Sequence, residues 1–187
     1  MGALDVLLLN HITSTRFGTW LSKFDEPTEG HAFIDEIMQV NFHSYVWLTT
    51  YAWSHLLAAG GRIGVVSSLA GHVGSPKIAA YSASKHALEG FFNAFRIELQ
   101  YEGYHNVSVT TCAIGATDTE GTVHIRDKFN SAVVTFDPPS LAATAILRGV
   151  GGRHRTIFHP HYLVHPSKVL SALWPAAFDR ILQATLN

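Results

Sequence analysis

A chain of 187 residues with 47% apolar composition carries enough material for one globular domain with a substantial core. A formal net charge of −1, with no basic run, argues against a surface that neutralises nucleic-acid phosphates. The single cysteine, Cys112, excludes an intramolecular disulfide and a thiolate metal cluster.

The first residues, Met1 to Asp5, lack the basic segment and long apolar run of a signal peptide, and no later stretch reaches membrane-span length. Leu4 to Leu9 is a short continuous apolar run ending at Asn10, the pattern of a strand buried on both faces. A polar, irregular stretch follows. From about Gly30 to Ala59, Phe33, Ile34, Ile37, Met38, Val40 and later Val46, Trp47 and Leu48 keep helical spacing. Gly60-Gly61 stops that helix and starts the strand Arg62 to Val66. A loop through Gly71, Gly74 and Pro76 leads into a long helix from about Ala80 to Tyr101, and Val107 to Ala113 alternates as another strand. Beyond Gly115 the pattern predicts a helix over Ser140 to Val150 and a short strand at Thr156 to Phe158. Leu163 to Leu186 reads as an apolar helical region interrupted by Pro166 and Pro175. Strands alternating with helices imply a parallel sheet covered on both faces.

Tyr81-Ser82-Ala83-Ser84-Lys85, with Ser67-Ser68 upstream, carries the chemistry. A phenol four residues before an ammonium on a helix shares its face, about 5–6 Å apart at Cβ. The lysine favours the phenolate, so it is expected to pull down a tyrosine pKa that starts near ~10. A tyrosine tuned that way does general acid/base work, and a nearby serine hydroxyl can donate to a developing alkoxide. Such a set suits interconversion of an alcohol and a carbonyl. The spacing alone arises readily by chance, so its surroundings must decide.

Val66-Ser67-Ser68-Leu69-Ala70-Gly71, followed by Ala80-Tyr81-Ser82-Ala83-Ser84-Lys85-His86-Ala87-Leu88, resembles the active-site segment of the short-chain dehydrogenase/reductase family. Three further pieces match in order. Leu8-Leu9-Asn10-His11 is similar to the strand-end asparagine motif that steadies the central sheet, and Val40-Asn41-Phe42 to the catalytic asparagine of the preceding helix. Cys112-Ala113-Ile114-Gly115-Ala116-Thr117-Asp118-Thr119 is similar to the loop that meets the nicotinamide carboxamide, with Ile114 in place of the usual proline. The wording lies nearest the branch of 11-beta-hydroxysteroid dehydrogenase type 1 and its like-proteins. The resemblance implies that Tyr81 is the proton donor or acceptor, and that Ser68 rather than Ser67 holds the substrate oxygen. It also implies that Lys85 tunes Tyr81 and bonds the nicotinamide ribose, and that Asn41 holds a water linking Lys85 to solvent. Asn10, Tyr81, Lys85, Ala116, Thr117 and Thr119 would meet the cofactor. Read without the resemblance, Ser67 and Asn41 are caps or loop hydrogen-bonders and Asn10 a strand-end turn residue.

The family's dinucleotide site begins at a glycine-rich turn between first strand and first helix, where the backbone approaches the pyrophosphate. Here Gly60-Gly61-Arg62-Ile63-Gly64 precedes a strand, and Gly149, Gly151 and Gly152 follow a helix. The resemblance therefore implies a start at the family's fourth strand, with three strand–helix units, roughly 90 residues, absent from the front. The expected fold is α/β: the C-terminal part of a doubly wound, Rossmann-like parallel sheet with flanking helices. It would form one incomplete domain over 1–187, with a catalytic part to about 130 and a substrate part over about 131–187. The edge at Leu4 to Leu9 is an aggregation liability unless something pairs with it.

His154, His159, His161 and His165 cluster near the C-terminus, but Pro160 and Pro166 interrupt them and no HExxH pattern occurs, so no metal is expected; a loop or substrate entrance suits them better. Asn106-Val107-Ser108 is a formal glycosylation acceptor, expected to stay unmodified without a signal or anchor. The apolar set Leu163, Leu170, Leu173, Trp174, Phe178, Ile181 and Leu182 serves as core, substrate lid, or a plateau for membrane or partner contact. Localisation stays open, the resembled branch being associated with the endoplasmic reticulum membrane. The functional expectation is an oxidoreductase that interconverts a hydroxyl and a ketone on a small lipophilic substrate, plausibly a steroid. It would use NADP or NAD, with NADP favoured by resemblance, as a homodimer through the helices at about 30–59 and 80–101. The rival expectation is a truncated, non-catalytic relative that acts by association alone.

Overall fold

The computed structural model describes residues 2–13, 16–22, 24–123, 125–129 and 134–186. Four strands, β1 (Val6–Leu9), β2 (Arg62–Ser68), β3 (Ser108–Ile114) and β4 (Thr156–His159), pair in parallel in chain order. Helices α1 (Pro27–Met38) and α2 (Ser44–Ala59) join β1 to β2, α3 (Ala79–Tyr101) joins β2 to β3, and α4 (Pro139–Gly151) precedes β4. Helices α5 (His161–Leu173) and α6 (Pro175–Ala184) follow it. The boundary expected near residue 130 falls outside the described residues.

The helix expected over about 30–59 is continuous, but α1 passes into α2 through a five-residue π turn, Gln39–His43. It ends where Gly60 adopts φ 58°, a left-handed cap that a side chain would strain. On one face of the sheet, Tyr45 and Leu56 of α2 and Leu88 and Phe92 of α3 bury Ile63, Val65 and Val109. On the other, Ala142, Ile146 and Val150 of α4 pack on Val66, Cys112 and Ile157. Each large side chain so buried stabilises by about 1.5–3 kcal/mol. A third cluster joins Phe33, Ile37 and Ala80 to Trp20, Phe24 and Tyr81. The stretch expected to be polar and irregular therefore carries aromatic anchors, and the Arg16 guanidinium lies 5.1 Å over the Phe33 ring.

Two expectations are corrected. Strand β1 is not buried on both faces: Leu9 is 1% exposed, but Val6 and Leu8 on the opposite face are 44% and 42% exposed. The reason is that β1 is an edge strand, and α4 packs mainly across β2, β3 and β4. Nor does Pro166 interrupt the C-terminal helical region. It lies inside α5, where it removes a single backbone donor, while Pro175 opens α6 at a position whose N–H needs no partner.

Candidate active site

Because all four strands run the same way, Asn10, Ser68 and Gly115 leave the sheet at one edge, outside the carboxyl ends of β1, β2 and β3. Open α/β sheets hold their ligands along that edge. Helix α3 starts beside it and carries Tyr81 and Lys85 one turn apart. Lys85 is 1% exposed, and its Nζ donates to the Val66 carbonyl at 2.9 Å. The same Nζ lies 5.7 Å from the Tyr81 ring and 5.5 Å from the Tyr45 ring. The Ser68 hydroxyl accepts from Ala70 N–H at 3.2 Å, capping the short turn Leu69–Gly71, and faces the Tyr81 hydroxyl. Neighbouring Ser67 points to the other side of the strand, towards Glu89. The strand's alternation thus separates two serines that are adjacent in sequence.

The electrostatics reverse one expectation. The Tyr81 pKa is raised, not lowered: burial disfavours the phenolate, and the Ser68 hydroxyl only partly offsets it. Burial also brings Lys85 down to about 8, against a smaller upward pull from Glu89. The spacing placed the pair on one face, but desolvation decides the sign. Both groups are pressed towards their neutral forms, tyrosine as phenol and lysine as amine.

Asn41 is fully buried in the π turn, where it accepts from Thr13 N–H at 2.9 Å and donates to Ser84 Oγ at 3.2 Å. Ser84 donates in turn to the Tyr81 carbonyl at 2.8 Å, so Asn41 is tied to the backbone of the tyrosine's own turn. Asn10 is exposed at the end of β1. Ala116 and Thr117 are half-buried and Thr119 exposed in the loop after β3. That loop is held from two sides. Gly115 N–H donates to His159 O at 2.7 Å, while Asp137 N–H donates to Ala116 O at 3.0 Å and its carbonyl accepts from Asp118 N–H at 2.8 Å.

The C-terminal histidines are dispersed: His154 lies between α4 and β4, His159 ends β4 3.4 Å from Asp137, and His161 and His165 are in α5 rather than a loop. Among the described residues no three His, Cys, Asp or Glu side chains converge as a metal site requires. Sequence reasoning missed Tyr45, whose hydroxyl donates to His11 O at 2.7 Å beside the lysine, and the buried contact of His72 with Glu89 at 3.5 Å. The available signal was spacing: Tyr45 follows Asn41, and Glu89 follows Lys85, by four residues.

Burial, aided by Lys168 and His86, holds His72 down from 6.5 to about 4. The folded chain therefore binds fewer protons than the unfolded chain between those values, and the stability His72 contributes is lost as pH falls through them. The loss amounts to roughly 2–3 kcal/mol. Urea titrations of the wild type and His72→Asn are expected to diverge above pH 6.5 and converge towards pH 4. A difference that stays flat across this window would refute the assignment.

A family model described as short chain dehydrogenase matches residues 1–130. The chain belongs to this family. It is 38% identical over 187 residues to the hydroxysteroid 11-beta-dehydrogenase 1-like protein of Gallus gallus, across 100% of this chain and 61% of that one. It is 37% identical over 184 residues to the protein of the same name from Xenopus tropicalis, across 98% and 60%. The chain thus spans about three fifths of the length of the curated relatives it matches. A short chain dehydrogenase from Burkholderia cenocepacia J2315, solved in complex with NADP, superposes with a TM-score of 0.77 at 22% identity, over 96% of this chain and 68% of that one. A gluconate 5-dehydrogenase of the same organism, with NADP and tartrate, gives 0.64 at 23%, over 84% and 63%. These two solved structures share the fold, and the short-chain dehydrogenase sheet is present here as four adjacent parallel strands with their helices.

Proposed function

We propose that the chain works in an NAD(P)-dependent oxidoreductase that interconverts a hydroxyl and a ketone on a small lipophilic substrate, of steroid type. The observation that carries this reading is the convergence of Ser68, Tyr81 and Lys85 at the carboxyl edge of the sheet. Ser68 holds the substrate oxygen by a hydrogen bond. Tyr81, kept as a phenol by its burial, gives that oxygen a proton in reduction and takes it back in oxidation. Lys85 and the Asn41 turn hold Tyr81 in place, and Asn41 carries a water that links Lys85 to solvent. Residues to about 130 carry the chemistry and about 131–187 cover the substrate.

The residues present fit the nicotinamide-ribose end of the cofactor. The Lys85 ammonium has three donors, of which Val66 O takes one, which suits ribose hydroxyls. Asn10, Ala116, Thr117 and Thr119 line the same edge. No glycine-rich strand-to-helix turn for the pyrophosphate occurs among the described residues. When bound, the cofactor supplies the hydride, and NADP is favoured over NAD by family resemblance. Fluorescence titration of the folded protein with NADPH and NADH is expected to show saturable binding, tighter for NADPH and weakened by Lys85→Ala. A folded sample that responds to neither would overturn the enzyme reading for this chain.

A second reading rests on a separate observation. Helices α2 and α3 expose Trp47, Leu48, Tyr51, Ile97 and Tyr101, the last 91% exposed, beside a groove lined by Trp53, Phe91, Phe95 and Tyr104. This face suits a homodimer, and association is the function left if cofactor binding fails. Among the described residues no helix is long and apolar enough to cross a membrane. The groove between α5 and α6, lined by Tyr162, Leu170, Trp174 and Ile181, is the face for membrane contact in this proposal.

A further inference from the structure

Behind Lys85 lies a group of buried polar side chains that the proposed chemistry leaves unused. Glu89 follows Lys85 by one turn of α3, on the same face, and is 6% exposed. Its Oε2 accepts from Asn93 Nδ2 at 3.2 Å, while its Oε1 has no hydrogen-bond partner and lies 3.5 Å from His72 Nε2. Ser67 Oγ is likewise buried without a partner, near enough to bias the carboxyl but too far to bond it. Three orphaned polar atoms therefore meet in one enclosed place.

The enclosure depends on Gly71. A Cβ there would lie 2.8 Å from Ser67 Oγ and 2.8 Å from the Lys85 carbonyl, so only glycine lets the turn Leu69–Gly71 close onto α3 and bring His72 to Glu89. Phe158 seals the outer side, 5.7 Å from the His72 ring, and Lys168 Nζ of α5 lies 5.6 Å over Phe158.

An ionised carboxylate with one free oxygen in such a place costs several kcal/mol, far more than a carboxylic acid. The 3.5 Å contact is long for an ion pair, and both partners are displaced towards neutrality: burial raises Glu89 and lowers His72. The groups that face Glu89 are Lys85, Asn93 and Arg96 of α3, Ser67 of β2, and Thr111 and Cys112 of β3. His72 and Lys168 complete the set, and His86 acts on His72. The cations oppose the burial of Glu89 without overcoming it.

We propose that Glu89 is a positioning residue for Lys85, standing as a neutral carboxylic acid in a closed polar chamber with Ser67 and His72, and that its ionisation sets whether Lys85 stands as ammonium. The chamber stands on its own geometry; the consequence for catalysis rests on the enzyme reading above. When Glu89 gives up its proton to solvent, the new charge one turn away favours the ammonium and so holds the ribose donors in place. When it stays protonated, Lys85 more readily loses its own proton.

The test needs no cofactor. In protein labelled with 13C at glutamate Cδ and lysine Cε, a pH titration by NMR is expected to show one glutamate, absent in Glu89→Gln, that titrates well above the others. The Lys85 signal, identified by its loss in Lys85→Met, is expected to titrate at lower pH in Glu89→Gln than in the wild type. If every glutamate titrates in the ordinary carboxylate range, the neutral acid is refuted. If the Lys85 titration is unmoved by Glu89→Gln, the coupling is refuted. Should Glu89→Gln fail to fold, the wild-type glutamate titration and Glu89→Asp, expected to move the Lys85 titration as well, keep both claims open to refutation. These outcomes are independent of the nicotinamide titration, so either conclusion can fail while the other holds.

Discussion

Replacing Tyr81 by phenylalanine is expected to lower alcohol–carbonyl turnover by about 10²–10⁴-fold, the range for a lost general acid/base, while leaving nicotinamide binding intact. The substitution keeps the ring that packs with Phe33, Ile37 and Ala80, and the ring over which Lys85 Nζ lies at 5.7 Å. It removes only the hydroxyl that faces Ser68. Loss of turnover with loss of folding would therefore be surprising, because the phenol's burial opposes its ionised form and not its ring. The measurement is steady-state turnover of a hydroxysteroid with NADP, beside a cofactor titration of the same sample. Unchanged turnover would remove Tyr81 from the proton-transfer role. Loss of cofactor affinity alone would assign it to binding instead.

Replacing Arg96 by methionine is expected to destabilise the fold by about 3–5 kcal/mol, since charge-assisted hydrogen bonds contribute about 1.5–3 kcal/mol each and the buried Val109 carbonyl would lose its guanidinium partner. Arg96 Nε donates to Val109 O at 2.8 Å, Nη2 to Arg155 O at 2.9 Å, and Nη1 to Asn93 Oδ1 at 2.7 Å. One guanidinium thus joins α3 to β3 and to the residue before β4. Lysine at this position reaches one of those carbonyls but lacks the planar fork, so Arg96→Lys should recover only part of the loss. The check is the urea midpoint at unchanged slope. A methionine variant as stable as the wild type would show that the three bonds are balanced by the cost of burying the charge.

Much of this architecture was legible in the sequence because its signals are local. Gly60 at a left-handed helix end, the 3.6-residue spacing of Leu88, Phe92 and Leu99, and the apolar run at β2 each follow from short-range backbone chemistry. The Asn41, Ser68, Tyr81 and Lys85 wording was equally visible. What was not visible depends on neighbours distant in sequence. Val6 and Leu8 read as core residues, yet they lie on an edge strand outside the face that α4 mainly covers. The direction of the Tyr81 displacement is set by burial among Phe33, Ile37 and Ala80, which no spacing to Lys85 reveals. Glu89 and His72 look like ordinary surface residues in the sequence. They become a buried pair only because Gly71 brings two segments together.

The π turn at Gln39–His43 has a consequence for what length this chain tolerates there. Phe33, Ile37, Asn41, Tyr45 and Thr49 are all buried, each four residues after the last. In an unbroken α-helix every such step overshoots a full turn by ~40°, so four steps would carry Thr49 about 160° round to the opposite side. The wider winding of the π turn takes up most of that drift, about 100° of it, and keeps the five side chains closer to one face. Deleting one residue between Gln39 and His43 would let the α winding resume and rotate everything after it by about 100°. Tyr45, Thr49 and Leu56 would leave the core together, and Asn41 would lose Thr13 and Ser84 in the same movement. At this point one residue too few acts as a rotation of the helix that follows.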